Sequence, residues 1–451
     1  MISGVLHLTS KTKYGMTSRN VPMYMFRPFD TKQSIFIVGC SHTDTSSNLL
    51  ALIQPLDMTT RIPRGNMITV LGKCGDWDAE RLAIQWTHRP HKQPKIDLEN
   101  LISPDSEDRI DLRGYPTINV DPLGCRDVDD CITFCTDMFV VTIADVGAWV
   151  AKNPQLEAFA INGQTLYDNG RAISPLFPAL LSEDLFSLRV GKDRFGVSIV
   201  YPKEGNPYWV RSIVRVTDSY EYDEVKSMSE IKQVSECASG HSVSDDPHEW
   251  IEALMVSYNS FMGEELVKRS NGVFRGHDQP DRVKMDKYKS ICPDAEHLAG
   301  NAAKYQSFIH RTPHWGLGVQ DYTHSTSPIR RWADVHNQMV LLGLNPVEKI
   351  DDLNRINKAA KKYERDVFFL RQLQTPQRIS GYVLEVTDTK TKVWVASWKR
   401  IVTLYVTGFD IGTCIWMTYY LDMNQPTWKK RMIIRASTDC LELQSLVQGS
   451  P

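Results

Sequence analysis

An acidic stretch constrains the fold of this chain more than any other feature of its sequence. Within ten residues it contains Asp121, Asp127, Asp129 and Asp130. Two β-type runs, 131–135 and 139–145, follow directly, so the carboxylates lie in a loop that feeds a strand. Two carboxylates about 4 Å apart repel by roughly 4 kcal/mol at an effective dielectric near 20. A cation with oxygen ligands would offset this repulsion, and Mg²⁺ is the usual one beside phosphate oxygens. A solvated acidic turn is the alternative.

The composition is that of a globular protein. The chain has 451 residues, 42% of them apolar and 24% charged, which gives room for two to four domains. The formal net charge of −2 argues globally against nucleic-acid binding and leaves the decision to local basic patches. We find neither a signal-peptide core nor an apolar run of membrane-spanning length. We therefore expect a soluble intracellular protein, located in the cytoplasm, with an organelle as the alternative.

The cysteines indicate no metal site. They are scattered, odd in number and include no Cys-x-x-Cys pair, so we predict reduced packing residues. They are Cys40, Cys74, Cys125, Cys131, Cys135, Cys237, Cys292, Cys414 and Cys440.

Residues 1–100 have an all-β pattern of short apolar runs separated by turn residues. The runs are Met23–Phe26, Ser34–Val38, Leu49–Ile53, Met67–Leu71 and Leu82–Trp86. Five short strands in this length favour a small barrel of the OB type. Tyr24 and Phe36 would then stack on bases beside a basic groove, as single-strand binding requires. The basic residues are Arg19, Arg27, Lys32, Arg61, Arg64 and Lys73. The alternative is a barrel that only packs against its neighbour.

Residues 101–378 mix strands and helices. Predicted strands cover 131–145, 194–200 and 208–215. Predicted helices cover roughly 249–268, 328–342 and 350–373, with a short one at 223–232. Residues 232–248, rich in serine, glycine and aspartate, are predicted to form an exposed mobile loop.

The start of the helix at 328 carries two arginines. Ser327 is predicted as the N-cap and Pro328 as the first helical residue. Arg330 and Arg331 then lie in the first turn, where they oppose the helix dipole. That placement favours an anionic partner, and a helix N-terminus with arginines is physically a phosphate site. The alternative is that both arginines pair with protein carboxylates, the acidic loop among them.

Residues 379–451 return to a β pattern and predict a second small barrel. The runs are Ser380–Val386, Lys392–Ser397, Ile401–Tyr405, Cys414–Tyr420 and Met432–Arg435. Basic and aromatic residues are interleaved along these strands, as in sequence-tolerant single-strand binders. We expect some of the tryptophans to form the barrel core and others to face solvent.

These motifs resemble those of the ribonuclease II and ribonuclease R (RNB) nucleases, nearer the eukaryotic exosome-type branch. The resemblance covers most of 105–375. It rests on Asp121-Pro-x4-Asp127-x-Asp129-Asp130, Ile143-Ala-Asp-Val146, Ile173–Leu188, His314-Trp-Gly-Leu-Gly and Tyr322-Thr-His-Ser-Thr-Ser-Pro-Ile-Arg-Arg-Trp-Ala-Asp334. It implies an α+β fold, with a mixed α/β RNB domain at 101–378 flanked by OB-fold barrels at 1–100 and 379–451. Family members usually carry two barrels in front, where this chain has room for one.

The resemblance implies a Mg²⁺-dependent hydrolytic 3′→5′ exoribonuclease, with Mn²⁺ as the alternative metal. It would degrade single-stranded RNA to 5′-nucleoside monophosphates by a two-metal mechanism. Carried over to this chain, Asp121, Asp127 and Asp130 are the metal ligands. Asp129 is the residue whose loss stops chemistry while sparing binding. Arg330 holds the scissile phosphate, and Glu364 falls near the active site, although on its helix alone it reads as a surface charge.

The resemblance also implies residues that hold RNA. Tyr167 and His277 match positions that stack on the last bases, and Tyr222 is a third candidate, for which Tyr220 competes. Ser327 and Arg331 are added as RNA-binding residues from the phosphate argument. The alternatives are a packing role at a turn for Tyr167 and a backbone hydrogen bond for His277.

Two other functions stay open. One is a catalytically silent RNA-binding protein on the same scaffold, which should lack an aspartate or the arginine; this sequence lacks neither. The other is a Mg²⁺-dependent nuclease or phosphatase that prefers DNA. We expect a monomer that acts on single-stranded RNA away from membranes, with no protein partner indicated.

Overall fold

The structure is a computed structural model that describes residues 1–57, 61–375, 377–422 and 425–437. The chain forms two compact units. The terminal unit comprises Met1–Lys92, Pro280–Asn301 and Lys361–Pro451, and the central unit comprises Gln93–Gln279 and Ala302–Ala360. The predicted α+β architecture, with a central mixed domain and a small β structure towards each end of the chain, is confirmed.

The elements follow in chain order. The first are β1 (Ile2–Leu6), β2 (Met23–Pro28), β3 (Phe36–Gly39), β4 (Leu49–Asp57), β5 (Arg64–Lys73) and α1 (Trp77–His88). Next come β6 (Ile110–Asp111), β7 (Thr117–Val120), β8 (Asp130–Phe134), β9 (Met138–Ala144), α2 (Val146–Lys152), β10 (Leu166–Asp168), β11 (Arg171–Ser174), β12 (Asp193–Pro202), β13 (Tyr208–Arg215), β14 (Asp218–Tyr220), α3 (Ser229–Ser239), α4 (Pro247–Lys268) and β15 (Val273–Gly276). The last are α5 (Arg282–Ile291), β16 (Lys304–Ser307), α6 (Trp332–Leu341), α7 (Ile350–Gln372), β17 (Arg378–Val386), β18 (Thr391–Val395), β19 (Arg400–Leu404), β20 (Cys414–Leu421), α8 (Trp428–Arg431) and β21 (Met432–Ala436).

The front of the terminal unit is a closed barrel in the order β1-β2-β3-β5-β4. A short parallel pairing of β3 with β5 closes it, and the other pairings are antiparallel. The predicted barrel is confirmed, but the strand at Leu82–Trp86 is wrong, because these residues belong to α1. Asp76 caps that helix by accepting a hydrogen bond from the backbone N–H of Ala79 at 2.8 Å. Five apolar residues were too few to separate a helical from a strand period.

The two aromatic residues predicted to stack on bases in this barrel lie in its core. Tyr24 is 2% exposed and Phe36 is fully buried. Their assignment as a stacking platform is therefore wrong, because strand alternation turns both rings inward. The basic residues of the barrel keep their proposed role as a prediction.

The other β structure of the terminal unit is a sheet in the order β19-β18-β17-β20-β21. Its five strands match the five predicted runs, and one face packs around Val383, Val393, Leu404 and Met417. Within the described ranges no ladder joins β19 to β21, so the sheet is a half-barrel. The expected mixture of tryptophans is confirmed, with Trp394 buried and Trp416 43% exposed beneath the guanidinium of Arg378, at 4.9 Å.

The central unit is built on a seven-stranded sheet in the order β14-β7-β8-β9-β12-β13-β6. Both faces of the sheet are covered, as expected of the near-continuous apolar strands β9 and β12. Residues of α3 and α4 pack on one face with Ile132 and Ile199. Residues of α2 and α6 pack on the other face with Val140 and Val200.

The predicted mobile loop at 232–248 is wrong over its first half. Residues 229–239 form α3, in which Ile231 and Val234 are buried. Ser235 is also buried because its hydroxyl donates to the carbonyls of Ile231, at 3.0 Å, and Trp250, at 2.9 Å. Hydrogen bonding of a serine inside the helix pair thus overrides its loop propensity. The predicted short helix at 223–232 is a single turn followed by the start of α3.

A buried ion pair anchors the edge of this sheet. The Arg109 guanidinium donates to Asp145 Oδ2 at 2.7 Å, and both side chains are fully buried. Arg109 also donates to the carbonyls of Gly196 and Ser212 at 3.3 Å. Asp145 Oδ1 in turn accepts from the backbone N–H of Ala148 at 3.0 Å, which caps α2. The pair therefore links two strands to the start of a helix.

Helix α6 carries polar side chains inside the core. Gln338 accepts from the Gly147 N–H and donates to the Ala144 carbonyl, both at 2.8 Å. A Cβ on Gly147 would lie 2.5 Å from the Cβ of Gln338, so only glycine allows this approach of α2 to α6. His336 is 2% exposed, and its Nε2 finds no hydrogen-bond partner.

We expect His336 to make the protein sensitive to acid. Burial lowers the pKa of His336 to about 4, whereas an unfolded histidine titrates near pH 6.5. The unfolded chain takes up the proton first, so the free energy of unfolding falls as the pH drops from about 6.5 to about 4, by at most about 3 kcal/mol. Urea unfolding across this range should show a shallower pH dependence in His336→Leu. The variant His310→Leu, at an exposed position, should keep the wild-type dependence; equal slopes for all three proteins would refute the burial argument.

The eight cysteines in the described ranges are free thiols, as predicted, and Cys440 lies outside those ranges. No helix in the described ranges is long and apolar enough to cross a membrane.

Candidate active site

The acidic loop joins two antiparallel neighbours in the central sheet. It runs from the end of β7 to the start of β8, which pair at Thr117↔Thr133 and Ile118↔Ile132. The Asp121 N–H donates to the Tyr220 carbonyl at 3.0 Å, continuing the contact of β7 with β14. Asp130 pairs with Ile143 in β9. The sheet therefore fixes the first and last carboxylates of the loop.

Asp129 connects the loop to the arginine segment. It is 4% exposed, and its Oδ1 accepts from the backbone N–H of Ile329 at 2.9 Å. Its Oδ2 lies 3.3 Å from Arg330 Nε. Burial raises the pKa of Asp129 to about 7, although Arg330 and the Ile329 N–H both oppose the shift. The two motifs, 200 residues apart in sequence, thus meet at one carboxylate.

Asp121 and Asp130 are the carboxylates whose charge is least compensated. Burial raises the pKa of Asp121 to about 6, with a further contribution from Asp127. Burial also raises the pKa of Asp130 well above its usual range, with contributions from Asp121 and then Asp129. Oδ2 of Asp121 is buried and has no hydrogen-bond partner. An unpaired buried carboxylate oxygen beside a second acid is a position that a cation would stabilise.

The remaining aspartate of the loop is engaged by a tyrosine. The Tyr167 hydroxyl, on β10, donates to Asp127 Oδ2 at 2.7 Å. Burial and the charge of Asp127 raise the pKa of Tyr167. This contact is absent from the sequence prediction, which had Tyr167 stacking on RNA. Across the described ranges no three His, Cys, Asp or Glu side chains are arranged to hold a metal ion, so the three predicted ligands are not preassembled as a set.

The predicted helix start at Pro328 is wrong, because α6 begins at Trp332. The backbone of Arg331 is extended, at φ −136° and ψ 124°, and Arg331 occupies the N-cap position without a side-chain cap. The N–H groups of Arg330 and Arg331 donate to the Ser327 carbonyl at 3.2 and 2.9 Å, and that of Trp332 donates to Gly163 at 2.7 Å. The backbone donors of this segment are therefore taken by the protein, and Ser327 precedes a turn rather than a helix.

The two arginines of this segment differ. Arg331 holds Asp334 with two hydrogen bonds, Nε–Oδ2 at 2.9 Å and Nη2–Oδ1 at 2.8 Å. The Arg330 side chain is 47% exposed and makes one longer contact with Asp129. Although burial opposes it, Asp129 and its acidic neighbours raise the pKa of Arg330. Pairing with protein carboxylates, the alternative from the sequence, is thus found for both, and Arg330 keeps an exposed charged end.

The aromatic candidates lie at different places in the central unit. The Tyr222 ring stacks on His248 with centroids 3.9 Å apart at an interplanar angle of 21°. Burial, followed by the charges of Asp130 and Asp121, raises the pKa of Tyr222 to about 12. His277 Nδ1 accepts a hydrogen bond from the Gly316 N–H at 3.2 Å, as its alternative anticipated. Its ring lies 6.3 Å from that of Trp315, a 43% exposed residue that the sequence prediction did not single out.

Glu364 belongs to the terminal unit, where it lies on α7. Burial raises its pKa against the charges of Lys361 and Arg400. Its role at the active site stays a prediction.

Comparison with known proteins identifies the family. The RNB domain family model matches residues 109–244 and 240–344, more than half of the chain. The chain belongs to the RNB family. The predicted resemblance is therefore confirmed, and the acidic loop and Arg330 both fall within the RNB domain.

Individual relatives are distant. An exosome complex exonuclease of Schizosaccharomyces pombe is 23% identical over 434 residues, which cover 71% of this chain and 44% of that protein. This RNB chain thus spans less than half the length of that relative. The apo form of Mycoplasma genitalium RNase R matches with a TM-score of 0.74 at 16% identity, covering 97% of this chain and 90% of the other. A yeast pseudonuclease matches with a TM-score of 0.66 at 14% identity, covering 93% and 67%. At these identities the structural likeness shows the fold alone.

Proposed function

We propose that this RNB chain is a metal-dependent hydrolytic 3′→5′ exoribonuclease that degrades single-stranded RNA to 5′-nucleoside monophosphates. The observation that carries the proposal is the Asp129 bridge. It brings the exposed guanidinium of Arg330 beside the acidic loop of Asp121 and Asp130. A cation site next to an arginine that binds phosphate is the arrangement that phosphodiester hydrolysis needs.

The residues of the loop fit a divalent cation. Asp121 and Asp130 would hold it first, because both have pKa values raised by burial and Asp121 has an unpartnered oxygen. Asp127 would join them if its bond to Tyr167 opened. Mg²⁺ commonly takes one or two carboxylates and completes its shell with water and substrate phosphate oxygens, and Mn²⁺ is the alternative. When bound, such an ion would supply an activated water and neutralise charge on the phosphate.

The chain itself supplies positioning and charge. The exposed end of Arg330 would bind a non-bridging oxygen of the scissile phosphate and stabilise the charge that develops there. Asp129 would orient Arg330 through its Nε, while its bond to the Ile329 N–H fixes the carboxylate. Tyr167 would hold Asp127 in place. Asp129 and Tyr167 would thus act through neighbouring groups as positioning residues.

RNA would be held by aromatic and basic groups. Tyr222 and His277 remain candidates for base stacking in the central unit, with Ser327 and Arg331 behind Arg330. In the terminal unit, Trp416 with Arg378 above its ring offers a further surface of the kind that stacks on bases. The domain limits 1–100, 101–378 and 379–451, and the role of Glu364, belong to this proposal.

A catalytically silent RNA-binding protein is the second candidate, because a yeast pseudonuclease shares the fold over 93% of this chain. The retention of all four aspartates and of Arg330 favours catalysis. Tight RNA binding without turnover in Mg²⁺ or Mn²⁺ would favour the silent alternative.

Metal removal tests the proposal directly. We expect 5′-labelled single-stranded RNA to be shortened from its 3′ end in Mg²⁺, with release of monophosphates. EDTA should abolish shortening, and added Mg²⁺ should restore it, because the acidic loop needs a cation to bind phosphate. The same sequence in DNA serves as the control for 2′-hydroxyl recognition. Degradation that persists in EDTA would exclude the metal-dependent mechanism.

A further inference from the structure

A groove of about 700 Å³ follows α4 in the central unit. The wall on α4 is a single stripe at helical spacing, formed by Glu249, Glu252, Val256, Ser260 and Glu264. The turn after α3 and the turn at 316–319 form other parts of the wall. The stripe spans about 22 Å at 1.5 Å per residue, or roughly four helical turns.

The groove gives α4 a second apolar face. One face of α4 is buried against the sheet through Trp250, Leu254 and Tyr258. On the groove side, Val256 and Phe261 are half-buried, and Leu317 is 38% exposed. A helix at the surface of a single protein normally needs one apolar face. A second one, open along its length, is typical of a helix that receives a partner.

The charge around the groove has one sign. Glu249, Glu252 and Glu264 are exposed, and none of them forms a salt bridge within the described ranges. No lysine or arginine is among the residues that line the groove. The negative potential repels a nucleic-acid backbone and attracts a basic partner. This surface therefore differs in kind from the RNA-binding surfaces proposed above.

We infer that the groove binds a basic amphipathic helix of a partner protein. Apolar side chains at positions i, i+4 and i+7 of that helix would lie on Val256, Phe261 and Leu317. Lysine or arginine side chains flanking them would meet Glu249, Glu252 and Glu264. The small side chain of Ser260 lets the partner backbone come close. The apolar contacts supply affinity, and the glutamates set the choice of partner and its rate of association.

A peptide pair tests the inference by fluorescence anisotropy. Both peptides have 16 residues and leucine at i, i+4 and i+7; one carries lysine at the flanking positions and the other glutamate. We expect saturable binding of the lysine peptide, at least about tenfold tighter than the glutamate peptide. The variant Glu249→Lys/Glu252→Lys/Glu264→Lys should invert this preference. The control Glu157→Lys/Glu204→Lys/Glu230→Lys changes three exposed acids outside the groove and should keep the wild-type preference.

Three results would overturn the inference. The first is equal or unsaturable binding of the two peptides. The second is a wild-type dimer in sedimentation velocity that Val256→Asp dissociates, which would make the groove a contact between copies. The third is loss of RNA affinity in folded Val256→Asp, which would make it an RNA surface. RNA degradation is expected to be unchanged in every groove variant, so the proposed nuclease activity stands or falls separately.

Discussion

Asp129→Asn is expected to abolish RNA degradation and to leave RNA binding close to wild type. Asparagine can still accept the hydrogen bond of the Ile329 N–H, but it carries no charge to hold Arg330. Removing one preorganised charge contact costs about 10²–10³-fold in turnover, and here the contact positions the main phosphate-binding group. We therefore expect a loss near 10³-fold in the rate of monophosphate release at saturating enzyme in Mg²⁺. Filter binding in EDTA measures affinity for the same RNA.

Two variants make this result interpretable. Asp137→Asn removes an exposed carboxylate, 3.5 Å from Lys203, and should degrade RNA at the wild-type rate. Arg330→Lys keeps the charge but loses the planar fork of the guanidinium, and should fall between wild type and Asp129→Asn. Thermal unfolding of each variant separates lost chemistry from lost fold. If folded Asp129→Asn degrades RNA as wild type does, the role assigned to Asp129 is wrong.

Arg109→Met should lower the free energy of unfolding by about 3–5 kcal/mol. The substitution leaves the fully buried carboxylate of Asp145 without its 2.7 Å partner, and it frees the carbonyls of Gly196 and Ser212. An unpaired buried charge costs far more than the pair is worth, since desolvation is no longer offset. Urea unfolding monitored by tryptophan fluorescence measures the change.

Arg113→Met is the matched control. Arg113 also pairs with two aspartates, Asp111 at 2.6 Å and Asp193 at 3.1 Å, but its side chain is 38% exposed. Exposed pairs contribute about 0–1 kcal/mol, so this variant should unfold almost as wild type does. Similar losses in the two variants would show that the number of ion pairs, and not burial, determines their contribution.

The elements that the sequence predicted well have strong periodic patterns. Strands β9, β12 and β13 and the long helices α4 and α7 lie where the apolar spacing placed them, because each buries a continuous face. The misplaced elements depend on contacts that are distant in sequence. Residues 82–86 became helical through the Asp76 cap, and residues 229–239 became helical because Ser235 bonds to Trp250. A single sequence shows neither contact.

The candidate site divides in the same way. The sequence placed Asp121, Asp127, Asp129, Asp130 and Arg330 in two motifs, and the structure brings Asp129 and Arg330 into contact. It could not show that Tyr167 engages Asp127 or that Arg331 turns to Asp334, because these side chains choose among several nearby acids. The helix start was misplaced for a related reason. Ser327 and Pro328 satisfy local capping rules, but the extended backbone of Arg331 follows from its bridge to Gln164.

The Asp129 bridge has a consequence for how the protein folds. Its partner Arg330 lies 201 residues further along the chain, so the contact has a very high sequence separation. Contacts of this kind form late, since the loop between them must first be ordered. During synthesis the acidic loop emerges long before the arginine that completes it. A partly made or truncated chain therefore holds carboxylates without the group that binds phosphate, and nuclease chemistry is confined to molecules whose central unit has finished folding.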